Sequence, residues 1–222
     1  MILDTLRILG PTTDDANLVL RQLEIILTAH AERMGGSPLV DLRLNVTRLN
    51  VLRALHANLE ILGYSSSAIQ DDAQSCFTVL GPSQASDLRE ATLPPALTPT
   101  MIQWTIPHHP WLDLIPFPRM RDNLILAQDL MDDEQLCRDM CGQRPPPSSS
   151  QNLCRGSGIG ETGVLVWRDP WDPSGWEVTE TFIRLWGWAI QDCWDLFSST
   201  DAWRVHRGEK PLFGKIESVQ RH

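Results

Sequence analysis

"HHPWLDLIPFPRMRDNL", from His108 to Leu124, places Pro110, Pro116 and Pro118 in one short stretch. Each proline lacks an N–H and restricts the residue before it, so together with Pro107 they exclude a continuous helix here. Beyond Pro118 nothing blocks one. Residues Arg119 to Met140 are predicted helical, with Leu124, Ile125, Leu130 and Met131 toward the core and Asp129, Asp132, Asp133 and Glu134 in water.

Upstream, Leu18, Leu23, Ile26, Leu27 and Ala31 recur near helical spacing between Asp15 and Met34, and Gly35 and Gly36 supply a stop. A second helix is predicted from Leu42 to Leu62 on Val46, Leu49, Leu52, Leu55, Leu59 and Leu62, with Gly63 as its cap. Residues Ser65 to Thr100 are broken by Ser, Asp, Gln and Pro, leaving room for one short helix between Asp71 and Leu80.

Downstream, Gly142 to Gly163 reads as a flexible insertion, because its Pro, Ser and Gly content cannot repay the entropy of ordering it. Val164 to Trp167 suits a short strand. Ser174 and Glu177 have capping-box spacing, which predicts a long helix from Val178 to Leu196. Its stripe of Val178, Phe182, Leu185, Trp186, Ala189, Cys193 and Leu196, broadened by Trp188 and Trp194, predicts burial on most sides against Leu44 to Leu62. The fold class is thus mostly α: a single helical domain over residues 1–222, with proline-rich connections and the insertion at 142–163.

A chain of 222 residues that is 42% hydrophobic and 21% charged can bury one sizeable core. Most of its nine tryptophans fall from Trp167 to Trp203, and that many indoles need a fold or a partner to cover them. The 28 acidic residues against 19 basic ones give a net charge of -9, which disfavours non-specific attraction to nucleic acid or anionic membrane. No run of about 18 apolar residues suggests a membrane span, and the opening "MILDTLRILG" does not read as a signal peptide. The expected location is cytoplasmic or nuclear. Five irregularly spaced cysteines fit free thiols better than a disulfide framework.

Two polar-aromatic blocks carry the candidate chemistry. In the first, His108 and His109 point in opposite directions if the backbone is extended, so one of them can face a pocket. Asp113 can orient an imidazole or pair with Arg119 or Arg121, and Trp111 lies among them. In the second, "WRDPWDPSGWEV", Trp167, Arg168, Asp169, Trp171 and Trp176 combine charge with flat apolar surface. A pocket is expected where the two blocks meet, with His108, His109 and Asp113 as candidate acid–base groups. Arg119, Arg121, Trp111, Trp167, Arg168, Asp169, Trp171 and Trp176 are the candidate ligand-binding set. Buried pairing that fixes the fold is the favoured reading of the first block, because desolvated charges need partners whatever the function. Turn chemistry accounts for Asp169 and Asp172, each of which precedes a proline. The segment from Trp203 to Lys210 either covers the end of a pocket or secures the C-terminus through salt bridges.

No metal site is expected, since Cys137, Cys141 and Cys154 lack a fourth ligand. No cofactor is expected either: "GSGIGETG" lacks the Lys-Ser/Thr ending of a phosphate loop.

Longer motifs carry a resemblance. "LNVTRLNVLRALHANLEILG", "PTMIQWTIPHHPWLDLIPFPRMRDNLI", "VWRDPWDPSGWEVTETFIRLWGW" and "WRVHRGEKPL" resemble a fungal domain family of formerly unknown function, DUF3425, over residues 42–212. That family is found C-terminal in bZIP-like transcriptional regulators and as stand-alone proteins. The resemblance implies a regulator-like domain that binds a metabolite, a regulatory protein or a second copy of itself. This sequence lacks a dense basic region followed by heptad leucines, so bZIP-type DNA binding is not expected of it. The expected function is therefore binding of a hydrophobic or acidic small molecule, or of a protein partner. The alternative is a cofactor-independent cyclase, isomerase or lyase of secondary metabolism that uses His108, His109 or Asp113 for proton transfer.

The tryptophan-rich stripe yields a first prediction. Trp186→Ala should destabilise the protein by about 3–5 kcal/mol, the cost of a large core cavity. Thermal unfolding that shows a loss below about 0.5 kcal/mol would remove Trp186 from the core.

Overall fold

Asn58 ties one helix to both polar-aromatic blocks. It is buried, and its side-chain amide donates to the carbonyls of Leu114 at 2.8 Å and Pro170 at 3.0 Å. One helix side chain thereby fixes both polar-aromatic blocks. The computed structural model describes residues 40–65, 68–69, 72–81, 93–142 and 163–214. The helix expected from Asp15 to Met34, and all of the 142–163 insertion but its end residues, lie outside them.

Helix α1, Val40–Ile61, buries Leu49, Leu52, Leu55 and Leu59 on one face, as their spacing predicts. It stops at Gly63, whose φ of +72° suits glycine. There the N–H of Gly63 bonds the Glu60 carbonyl and that of Tyr64 bonds the Leu59 carbonyl, which satisfies groups the helix end would otherwise orphan. A short helix, α2, Cys76–Leu80, is capped by Ser75 and packs on α3, Met101–Thr105. Thr100 and Gln103 form a reciprocal capping box at the start of α3.

The proline stretch is not α-helical, as expected; Pro110–Leu114 is a 3-10 turn with Pro110 at its start. Helix α4, Pro118–Ala127, follows with Pro118 in the first turn. The single helix predicted up to Met140 is two. The chain tightens to 3-10 geometry at Gln128–Leu130, and α5, Asp133–Met140, restarts where the Asp132 side chain caps Gln135 N at 2.9 Å. Asp132, whose carboxylate bonds nearby backbone, competes with continuation of the preceding helix. Leu130, expected in the core, is 92% exposed.

Strand β1, Val164–Val166, pairs antiparallel with β2, Trp176–Val178, in the register Val164 to Val178 and Leu165 to Glu177. Glu177 is thus a strand residue and does not complete a capping box with Ser174. Helix α6, Glu180–Trp186, is capped instead by Thr179, which accepts from Phe182 N. The long helix predicted to Leu196 ends at Gly187, and α7, Trp194–His206, begins after a turn in which Asp192 takes a φ of 61°. The predicted stripe is buried at Val178, Phe182, Trp186, Ala189, Cys193 and Leu196, but these residues come from a strand, a turn and two helices. Trp188 and Trp194, expected to widen it, are 41% and 53% exposed. Nor is α6 the main partner of α1, which packs chiefly on β1 and the 3-10 turn.

Most of the described elements share one hydrophobic cluster, so the mostly helical, single-domain architecture holds. Among the described residues no helix is long and apolar enough to cross a membrane.

Gly163 enters β1 against the end of α5, and a Cβ there would lie 1.7 Å from the Asp139 carbonyl oxygen. Backbone on the receiving side cannot swing away as a side chain would. Gly163→Ala is expected to cost about 3 kcal/mol, at the upper end of overpacking penalties, as measured by urea unfolding.

Candidate functional site

The first block folds into a closed polar network around Asp113. Its Oδ2 accepts from the hydroxyls of Tyr64 at 2.6 Å and Ser75 at 2.7 Å. Its Oδ1 accepts from the Gln103 side-chain amide and faces His108 Nε2 at 2.9 Å. His108 Nδ1 lies 2.7 Å from the Ile106 carbonyl, which requires a proton on that nitrogen. A second proton joins Nε2 to the carboxylate, whichever of the two atoms holds it. Thr78 closes the far side, with its hydroxyl 3.2 Å from Nδ1. Burial, then the Asp113 charge, raises the Tyr64 phenol far above its ordinary value and keeps it a donor. Burial also raises the neighbouring Cys76 thiol, whose Sγ lies 3.2 Å from the Tyr64 oxygen.

Gln103 links this cluster to a buried cation. Its Oε1 accepts from Thr100 N at 3.0 Å and from Arg121 Nε at 2.8 Å. The rest of the Arg121 guanidinium donates to the carbonyls of Ala96 and Ile115 at 2.7 Å and Thr98 at 2.8 Å. Burial pushes Arg121 down to about 10 against the pull of Asp113 and Asp122, so it stays charged at neutral pH. Arg121 reaches Asp113 through Gln103 and does not pair with it directly. His109 turns the other way, half-buried, and accepts from Trp111 N at 3.2 Å as the cap of the 3-10 turn.

The open space lies elsewhere. A groove of about 1040 Å³ runs between Pro94 to Ala96, Pro118, the loop from Arg168 to Ser174, and one face of α7. Of the predicted ligand-binding residues it brings together Arg168, Asp169 and Trp171. Trp167 stands beside it, stacked on Trp203 with ring centroids 5.5 Å apart. Arg168 lies 5.2 Å over the Trp203 ring and Arg207 lies 5.4 Å over Trp167, giving a ladder in which two indoles are flanked by two guanidiniums. Trp176 is buried with its N–H on the Pro170 carbonyl, and Trp111 and Arg121 are buried in the core. Arg119 is on the surface, 3.7 Å from Asp192. None of His108, His109 or Asp113 lines the groove.

The segment from Trp203 to Lys210 does both things expected of it. Trp203 and His206 line the groove, while Arg207 grips the buried Glu177 carboxylate through both terminal nitrogens, one at 2.8 Å. Glu177 also accepts from Trp167 Nε1 at 2.9 Å. Hydrogen bonding to Glu177, the largest cause, raises Arg207, and the Arg207 hydrogen bond lowers Glu209. In the loop, Asp172 accepts from Ser174 N at 2.9 Å and Ser174 Oγ at 2.6 Å, which holds its carboxyl below the usual range.

The α7 wall is what the sequence reading missed. Asp195, Ser198, Ser199, Ala202 and His206 follow helical spacing and form a small, polar face. That pattern is legible only once the helix is drawn from Trp194 and not from Val178. Among the described residues no group of three His, Cys, Asp or Glu is placed to hold a metal; Cys154 lies outside them.

Asp113→Ala strips the acceptor from four separate donors and should cost about 3–5 kcal/mol in urea unfolding. His109→Ala, which removes the cap of the 3-10 turn, should cost about 1 kcal/mol. Equal costs for the two would dismiss the network as the main support of this region.

The family described as "Domain of unknown function (DUF3425)" matches residues 80–196, more than half of the chain. The match includes Gln103, His108, Asp113 and Arg121 and the whole of the groove loop, and stops short of the groove residues from Ser198 to His206. No curated protein and no solved structure matches the chain. Because the family match covers more than half of the chain, including the groove loop and the Gln103 to Arg121 part of the core network, the chain belongs to the DUF3425 family.

Proposed function

We propose that this protein is a binding domain of the regulator-associated kind, and that the groove between Pro94 to Ala96, the Arg168 to Ser174 loop and α7 holds its ligand, a small metabolite or a segment of a protein partner. The observation that carries this reading is a division of labour. The imidazole and carboxylate that could serve acid–base chemistry are consumed in each other and in buried donors. The groove instead offers an aromatic face, rigid proline walls and anchored charges, which are means of holding a molecule.

The acid–base alternative draws no support from this placement. A general base must come within hydrogen-bond reach of the proton it takes, and His108 and Asp113 are both in the buried core. The loop carboxylates do not form an obvious acid and base pair either, since Asp172 is held ionised by Ser174.

The test compares wild type, Trp171→Ala and His108→Gln after equilibration with a small-molecule extract of the host, with bound compounds read by mass spectrometry and folding checked by thermal unfolding. Wild type should retain compounds that Trp171→Ala retains at least about ten-fold less, a loss of about 1.4 kcal/mol. Conversion of a retained compound to product, abolished by His108→Gln in a folded variant, would overturn the proposal.

A further inference from the structure

Trp171 is the indole left unused in the groove. Trp203 is stacked on one side by Trp167 and covered by Arg168, and its N–H donates to the Ser174 carbonyl at 2.8 Å. Trp171 is half-buried, lines the groove, and among the described residues makes neither a ring contact nor a side-chain hydrogen bond. A flat aromatic face beside fixed charge is a cation site when the charge is negative.

The charge here is negative. Asp169, Asp172 and Asp195 line the groove against Arg168 and His206. The Arg168 guanidinium lies over the Trp203 ring at 5.2 Å but keeps its charge, which also acts on Asp172, and His206 meets the same ring edge-on at 6.2 Å, so three carboxylates outnumber one guanidinium. Asp172 is locked in place by Ser174, so its position as a counter-charge is set before any ligand arrives.

The walls narrow the backbone that fits. Pro94, Pro95, Pro118 and Pro173 present rings and no N–H donors, so an extended strand would find few main-chain partners along them. A polyproline II helix makes no internal hydrogen bonds and docks into aromatic-lined grooves through its side chains, so it does not depend on main-chain donors in the wall. At about 1040 Å³, the groove has room for several residues of such a ligand.

We propose that the groove binds an arginine-bearing, proline-rich segment of a partner protein, with an arginine guanidinium over Trp171 between the groove carboxylates and prolines against Pro94, Pro95 and Pro118. The inference rests on the groove being the recognition surface, and it adds the occupant.

The test is calorimetric titration of the full chain with a synthetic peptide of about ten residues built from repeated Arg-Pro-Pro, roughly 31 Å long as polyproline II. A matched peptide with glutamate in place of arginine is the control. The arginine peptide should bind saturably and more weakly as salt is raised. Affinity should fall at least about ten-fold in Trp171→Ala and in the Asp169→Asn, Asp195→Asn double variant, each with an unchanged melting temperature. Trp171→Phe, which keeps an aromatic face, should retain most of the affinity and serves if Trp171→Ala fails to fold. No saturable binding, equal binding of the glutamate peptide, equal competition by free arginine amide, or unaltered binding by the folded variants would each overturn the proposal. If the peptide fails while retention of host compounds still depends on Trp171, the occupant is wrong and the groove stands; if neither depends on Trp171, both readings fall.

Discussion

Everything in the first half of the fold answers to a buried carboxylate that must be satisfied. Asp113 sits where water cannot reach it, so its oxygens need donors from the protein. They come from the end of α1 (Tyr64), the cap of α2 (Ser75), helix α3 (Gln103) and the extended chain before the 3-10 turn (His108). Four segments with little regular structure between them are thereby tied to one point. Gln103 then passes the constraint to Arg121, and Arg121 holds the carbonyls of Ala96 and Thr98. Those carbonyls belong to the segment whose prolines form one wall of the groove. A network sealed from solvent in this way shapes a surface that is open to it.

The opposite wall is set by different physics. The loop between β1 and β2 is braced by the indole and guanidinium ladder of Arg207, Trp167, Trp203 and Arg168, and by the grip of Arg207 on Glu177. Glu177 is almost wholly buried, so its partner is obligatory and the contact counts for more than an exposed ion pair would. The exposed pairs at Arg119 with Asp192 and Arg138 with Glu134 carry no such weight.

Much of this was legible in the sequence, and the losses have physical causes. Helix α1 and its glycine stop followed from leucine spacing and Gly63, since a surface helix with one apolar face leaves a periodic trace. The prolines of the 107–118 stretch forbade an α-helix, and none formed. The helix from Val178 to Leu196 was misread because the buried residues of a strand, a turn and two helices happen to fall at helical spacing; Gly187 and the left-handed Asp192 interrupt it. Ser174 and Glu177 matched a capping box in spacing, but tertiary burial of Glu177 against Arg207 won. The pairing of His108 with Asp113 was anticipated as a polar knot. The link from Arg121 through Gln103 was not, because no spacing rule connects residues 18 apart across a turn.

The hairpin itself closes off one mode of recognition. Along the outer edge of β2, the Val178 N–H donates to Thr200 Oγ1 at 3.1 Å, and the Trp176 carbonyl accepts from Ser199 Oγ at 2.6 Å. Two hydroxyls on consecutive residues of α7 thus take the place of a third strand. An edge whose groups are already paired cannot template another chain, whether a ligand adding itself to the sheet or a second copy joining edge to edge. Whatever this protein holds at that side, it must recognise through side chains, and the β2 edge is closed to the commonest route to aggregation.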